Sequence, residues 1–84
     1  MHEVYLEHAA EKDLKKLPGE IFQRLIIHMK SLAETPRPSG CRKITGTKND
    51  WRIRVGYFRI IYEIDDKAHT VKVMRIRDRR EAYR

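Results

Sequence analysis

The chain has 84 residues, of which 40% are apolar and 37% are charged, and it carries a formal net charge of +7. This length holds one small hydrophobic core and excludes a second lobe, and the charge favours polyanionic partners such as nucleic acid or acidic protein. The single cysteine, Cys41, excludes an intrachain disulfide and paired-cysteine zinc motifs, and the longest apolar run, LIIHM at 25–29, is too short to cross a bilayer.

The first half of the chain predicts a strand followed by two helices. HEVYLE (2–7) alternates polar and apolar residues, which is typical of a short strand. EHAAEKDLKKL (7–17) has apolar residues at helical spacing and ends before Pro18-Gly19. GEIFQRLIIHMKSLAE (19–34) has the clearest helical pattern. Its wide apolar stripe consists of Ile21, Phe22, Leu25, Ile26, Met29, Leu32 and Ala33. We expect the two helices to form a hairpin.

After the loop TPRPSG (35–40), the apolar period changes from helical to strand-like. Strands are predicted for CRKITG (41–46), WRIRV (51–55), FRIIYEI (58–64) and TVKVMRI (70–76). The last segment is apolar on both faces, as expected of an interior strand. The element order predicts an α+β fold of two layers, with the helical hairpin on one face of a mostly antiparallel sheet. The first strand is expected to pair with a late one.

The net positive charge lies entirely in the second half of the chain. Residues 1–41 carry six basic and six acidic residues, whereas residues 42–84 carry thirteen basic and six acidic ones. Arg52 and Arg54 leave the same side of a strand, and Arg59 follows across the tight turn at Gly56-Tyr57. Guanidinium groups grouped in this way bind phosphate through a planar fork. The alternative is an outer strand face that is merely solvated.

The chain closes with RIRDRREAYR (75–84), in which five of ten residues are arginine. A solvated basic tail is one interpretation. The other is a functional surface, because no Gly/Ser linker precedes these residues and the ring of Tyr83 has apolar surface to bury. The four histidines are scattered without ligand spacing, so we expect no metal and no cofactor.

The segment WRIRVGYFRIIYEIDDKAHTVKVMRIRDRREAYR resembles the RelE/ParE superfamily of small bacterial toxins, most closely its RelE branch of mRNA endonucleases. L-x-x-L-P and A-E-x-P-R-P in the front half extend the resemblance to essentially the whole chain. The resemblance implies a RelE-like, microbial-RNase-type fold with a twisted sheet. It also implies the toxin of a type II toxin–antitoxin system, an mRNA interferase that cleaves mRNA in the ribosomal A site. Attack by the 2′-hydroxyl would proceed without a metal.

The resemblance assigns roles to individual residues. The implied catalytic residues are Arg52, Arg54, Arg59, Arg79 and Tyr83. Arg59 would stabilise the transition state, and Tyr83 would stack on a base or exchange a proton.

The residues expected to bind substrate are Lys43, Lys48, Arg77 and Arg80. Relatives carry lysine where this chain has Arg52 and Arg54, and arginine cannot serve as a base. Asp78 and Glu81 are therefore the candidate general bases.

The expected partners are an acidic, RelB-like antitoxin and the 70S ribosome with its rRNA and mRNA. DNA would be bound only through the antitoxin complex, and no membrane is involved. We expect a single toxin domain over residues 1–84, located in the cytoplasm. Two alternatives remain open: a ParE-like inhibitor of DNA gyrase, and a non-catalytic module that binds RNA or the ribosome.

Overall fold

The computed structural model describes residues 1–78 of the chain, and its elements follow the predicted order. The elements are β1 (Glu3–Leu6), α1 (His8–Lys15), α2 (Gly19–Ser31), β2 (Arg42–Lys43), β3 (Asp50–Val55), β4 (Phe58–Asp65) and β5 (Thr70–Asp78). The predicted strand over 41–46 is reduced to the two residues of β2. Neither helix in this part of the chain is long and apolar enough to cross a membrane.

The five strands form one mixed sheet in the order β1-β5-β4-β3-β2. β1 pairs in parallel with β5, and the three remaining pairs are antiparallel. The predicted pairing of the first strand with a late one is therefore confirmed. β5 is also an interior strand, as its apolar pattern indicates.

Both helices cover the same face of the sheet, and the hydrophobic core lies between the two layers. The helices contribute Ala10, Leu14, Leu25, Met29 and Leu32, and the sheet contributes Val55, Phe58, Ile60, Tyr62, Ile64, Val71, Val73 and Ile76. Strand alternation sends the intervening residues to the opposite face. We call this opposite side the open face; it carries Arg52, Arg54, Arg59, Ile61 and Arg77. The predicted two-layer α+β fold is confirmed.

A β-bulge in the β4–β5 pair decides which way the end of β5 points. Val71 and Val73 point into the core, so uninterrupted alternation would send Arg75 and Arg77 there too. The register shifts by one residue between Ile61 and Tyr62, so that Ile76 enters the core instead. A bulge re-aims side chains in this way and is frequent beside active sites. Arg77 thereby reaches the open face.

Asp13 on α1 fastens the helix layer to the part of β5 that β1 does not cover. β1 pairs with β5 only as far as Val73. Beyond that point, the Asp13 carboxylate accepts the backbone N–H of Ile76 at 2.9 Å, and it accepts Arg75 Nε at 2.9 Å. A second bond from Arg75 Nη2, at 3.2 Å, makes the ion pair bidentate. Beyond the end of β1, the Asp13 carboxylate therefore takes the place of a neighbouring strand as the acceptor for the Ile76 N–H.

The loop over residues 35–40 is anchored to the sheet by three contacts. The buried Tyr62 donates its hydroxyl to the backbone carbonyl of Pro36 at 2.8 Å. Arg37 bonds to Asp66 at 2.9 Å, and its guanidinium lies 5.1 Å from the centre of the Trp51 ring. These contacts fix the path of the chain into β2.

Tyr62→Phe is expected to lower the free energy of unfolding by about 1 kcal/mol, the usual net value of one hydrogen bond. The variant retains the buried ring but leaves the Pro36 carbonyl without its donor. Burial raises the pKa of Tyr62, so the hydroxyl stays protonated and donates throughout the ordinary pH range. Urea unfolding of this variant and of Tyr5→Phe, which changes a half-exposed tyrosine, measures the difference. Equal stability of the two variants would contradict the anchoring role.

Candidate active site

Three arginines lie side by side across three neighbouring strands of the open face. In the β3–β4 pair Arg54 lies opposite Arg59, and in the β4–β5 pair Arg59 lies opposite Arg77. We call these three residues the arginine row. Two features bring them together: the two-residue turn at Gly56-Tyr57 sets the first pairing, and the β-bulge sets the second. Gly56 takes a positive φ of 61°, which glycine adopts readily.

Arg59, at the centre of the arginine row, has a buried hydrogen-bond donor without an acceptor. Its Nε is buried and has no partner among residues 1–78. Like charges directly opposite one another in a sheet are destabilising, and a buried unsatisfied donor costs about 1–3 kcal/mol. Within residues 1–78, none of the three arginines of the row forms an ion pair with a carboxylate. The arrangement is therefore suited to an external anion.

Two basic side chains of β5 outside the arginine row are paired. Lys72 Nζ lies 3.3 Å from Glu7 and 3.7 Å from Glu63. Arg75 is held by Asp13, and this contact raises the pKa of Arg75. A generally solvated basic face would not separate paired from unpaired charges in this way. Within residues 1–78, the arginines of the row form no ion pair, whereas Lys72 and Arg75 do.

Arg52 belongs to a second group of arginines on the same face. It lies opposite Ile61 on β4 and opposite Arg42 on β2. Arg42, Arg52 and Arg54 together with Gly40 line a depression of about 470 Å³. Sequence reasoning missed Arg42, because the length and register of a two-residue strand are not visible in the apolar pattern. We call this feature the basic depression.

Three other predicted site residues in the described part of the chain lie away from the arginine row. Lys43 lies opposite Trp51, which places it on the helix side of the sheet edge. Lys48 is exposed in the turn before β3. Asp78 lies opposite Phe58, whose side chain enters the core, so the register separates Asp78 from the open face. The register therefore separates Lys43 and Asp78 from the residues they were expected to assist.

The remaining predicted site residues lie outside the described residues: Arg79, Arg80, Glu81 and Tyr83. They directly follow Asp78, the last residue of β5. Their roles remain predictions.

The arginine row can bind and stabilise a phosphate, but it cannot remove a proton, because guanidinium stays charged at any relevant pH. The positively charged forks match the oxygens of a phosphate and can follow its charge as it grows in a transition state. Residues 1–78 contain no group of three or more His, Cys, Asp or Glu side chains arranged to hold a metal ion.

Comparisons with known proteins were made for the sequence and for the fold. The family described as the ParE toxin of type II toxin–antitoxin system, parDE, matches residues 4–83. A comparison with curated proteins finds no match.

Several solved structures share the fold. The RelBE2 toxin–antitoxin complex from Mycobacterium tuberculosis has a TM-score of 0.83 and 26% identity, covering 93% of this chain and 98% of that one. The archaeal RelE–RelB complex from Pyrococcus horikoshii also has a TM-score of 0.83, with 25% identity over 93% of this chain and 94% of that one. The RelB–RelE complex from Methanococcus jannaschii has a TM-score of 0.76 and 28% identity, covering 93% of each chain.

The predicted resemblance to the RelE/ParE superfamily is confirmed both by the family match and by these structures. The match covers almost the entire chain, including the two helices and all five strands. The chain belongs to the ParE toxin family, and it is a toxin of a type II toxin–antitoxin system.

Proposed function

We propose that this toxin is a ribosome-dependent endoribonuclease that cleaves mRNA in the ribosomal A site and thereby inhibits translation. Arg59 is the observation that carries the proposal. Within residues 1–78 its buried Nε has no hydrogen-bond partner, and Arg59 lies between two further arginines, which suits a phosphate whose charge grows during a reaction. A surface that only attracted nucleic acid would keep its arginine donors in contact with water.

In the proposed reaction, the 2′-oxygen of the substrate forms a bond to the adjacent phosphorus, and the bond from phosphorus to the 5′-oxygen breaks. The products are a 2′,3′-cyclic phosphate and a 5′-hydroxyl. Arg59 stabilises the charge on the pentacoordinate phosphorus, while Arg54 and Arg77 orient the phosphate. The guanidinium groups supply the charge that a metal ion supplies in other nucleases.

Two protons must move for this reaction to proceed. The proton of the 2′-hydroxyl goes to a general base, and a proton is added to the leaving 5′-oxygen. Asp78 and Glu81 remain the candidate bases, although the register of β5 turns Asp78 away from the open face. Arg79 is proposed to lie near the cleaved phosphate, and Tyr83 to stack on a base or donate the second proton. Arg80, Lys43 and Lys48 are proposed to bind flanking RNA.

The proposed partners are the 70S ribosome and an acidic antitoxin. The solved relatives are complexes with RelB, and a RelB-like antitoxin would neutralise the same charged face. An acidic, partly disordered partner could fold onto that face and compete with RNA. Contact with DNA would arise only through the antitoxin.

The second candidate function is inhibition of DNA gyrase by protein binding, as in ParE-like toxins. The family match favours it, because the matching family is that of ParE. This function requires no phosphate chemistry at Arg59. It predicts that growth inhibition persists when Arg59 and Tyr83 are both replaced.

The test is a cleavage assay with toxin freed of antitoxin and ribosomes paused on a defined message. Primer extension locates the cut, and end-group analysis identifies the cyclic phosphate. Naked RNA and a double variant, Arg59→Ala with Tyr83→Phe, are run in parallel, together with a gyrase supercoiling assay. A ribosome-dependent cut that the double variant lacks is the expected result. An intact message with inhibited supercoiling would favour the gyrase function instead.

A further inference from the structure

We propose that the basic depression, lined by Gly40, Arg42, Arg52 and Arg54, is a second phosphate site that holds the RNA strand beside the phosphate at Arg59. This inference rests on the proposed function, because it names RNA as the ligand, and it assigns a binding role to Arg42. The proposed reaction requires one phosphate at the point of cleavage. The basic depression provides positive charge that can bind a second phosphate.

Three guanidinium groups meet in the depression. Arg42 and Arg52 lie directly opposite one another on β2 and β3, and Arg54 is the next residue along β3 on the same face. None of these three forms an ion pair within residues 1–78. Like charges at directly opposed positions destabilise a sheet, and an anion between them reverses the sign of that interaction. The chemistry that fits is a phosphate diester.

The backbone at Gly40, which lines the depression together with the arginines, is held in place. Gly40 has a φ of +91°, a conformation that side chains with a Cβ rarely adopt. The turn around it is closed by the backbone N–H of Cys41, which bonds to the carbonyl of Pro38 at 3.0 Å. The loop is further anchored by the contacts of Pro36 and Arg37. The backbone on this side of the depression is therefore held in place without a ligand, which lowers the entropic cost of binding.

The spacing of the two sites suits one RNA strand. Arg52 and Arg54 are two residues apart on β3, which corresponds to about 7 Å along a strand. A stacked nucleic-acid strand advances about 3.4 Å for each phosphate. A strand whose cleaved phosphate lies at Arg59 would therefore place a phosphate one or two nucleotides away in the depression. Arg54 lies between the sites and belongs to both.

The experiment measures binding without cleavage, using 2′-O-methylated single-stranded oligonucleotides that have no 2′-hydroxyl to attack. A dinucleotide with one internal phosphate is compared with a tetranucleotide with three, against wild type, Arg42→Ala, Arg42→Lys and Lys30→Ala. Lys30 is an exposed cation on α2 and is the control for loss of one charge. Arg42 is exposed on a two-residue strand, so its replacement should leave the melting temperature unchanged.

Arg42→Ala is expected to lower affinity for the tetranucleotide roughly fivefold to tenfold and to leave affinity for the dinucleotide unchanged. The slope of log K against log salt should fall by about 0.7, the value for one phosphate contact to a single strand. Arg42→Lys should keep most of the slope because it keeps the charge. Lys30→Ala should match wild type.

Equal effects of Arg42→Ala on both oligonucleotides, no effect on either, or no binding by wild type would overturn the second phosphate site. An acidic antitoxin peptide is titrated as well; if Arg42→Ala weakens only that peptide, the depression is a protein site instead. Failure of the second phosphate site can be distinguished from failure of the proposed nuclease function. Ribosome-dependent cleavage with no oligonucleotide effect would reject the second site alone, whereas the expected binding pattern without cleavage would reject the nuclease alone.

Discussion

Arg59→Ala is expected to lower the rate of mRNA cleavage by about a hundredfold to a thousandfold, as loss of one preorganised donor to a developing anion does in other enzymes. The Nε of Arg59 is buried and has no acceptor within residues 1–78, so in the proposed mechanism this donor serves the phosphate and not another part of the fold. The rate is measured under single-turnover conditions on ribosomes paused at one codon.

The same substitution should not destabilise the toxin. It removes a like charge opposite Arg54 and Arg77 and a buried donor that has no acceptor within residues 1–78, so the free energy of unfolding should stay the same or rise. Arg59→Lys keeps the charge but loses the planar fork, and it should restore only part of the rate. Lys30→Ala, which removes an exposed cation on α2, is the control for loss of one charge. Full activity of Arg59→Ala would remove Arg59 from the mechanism.

Asp13→Asn is expected to lower the free energy of unfolding by about 2 kcal/mol at neutral pH, the usual value for hydrogen bonds to a charged group. The carboxylate accepts three bonds from Arg75 and Ile76, and only 14% of its side chain is exposed. The amide cannot replace this charge. Loss of the contact should also loosen the end of β5, which carries Arg77.

The stability lost in Asp13→Asn should become smaller as the pH falls. Burial alone would raise the pKa of Asp13, but the hydrogen bonds from Arg75 and the Ile76 N–H outweigh it, so the pKa is lowered from its ordinary 3.8. A lowered pKa in the folded state means that the stabilisation is complete above pH 3.8 and is lost as the pH falls through the lower value.

Urea unfolding across this pH range measures the effect, with Glu11→Gln as control. Glu11 is an exposed acid on the same helix, and its replacement should change stability by no more than about 0.5 kcal/mol. A penalty for Asp13→Asn that grows as the pH falls below 3.8 would contradict the assignment.

The positions of Arg54 and Arg59, at the centre of the candidate site, can be predicted from local patterns in the sequence. Alternation in WRIRV and FRIIYEI fixes which residues face the core, and the two-residue turn at Gly56-Tyr57 fixes the register between them. Arg54 and Arg59 can therefore be placed together from the amino-acid sequence alone. The two layers and the late partner of β1 follow from the order of the elements.

The rest of the site depends on single-residue shifts and long-range contacts. The bulge beside Tyr62 turns Arg77 toward the open face, and nothing in the alternation of β5 indicates it. The register of β2 sends Arg42 to that face and Lys43 to the other, and the apolar pattern does not indicate this register. Asp13 and Arg75 are 62 residues apart, and no local pattern links them.

The most direct test of the proposed reaction replaces the 2′-hydroxyl at the cleaved nucleotide with hydrogen in a message carried by paused ribosomes. The proposed mechanism predicts that the unmodified message is cut to a 2′,3′-cyclic phosphate. It also predicts that the single 2′-deoxy substitution abolishes that cut while toxin binding is retained. A cut that persists at the 2′-deoxy position, or an unmodified message that stays intact, would contradict the assignment of this toxin as an mRNA endonuclease.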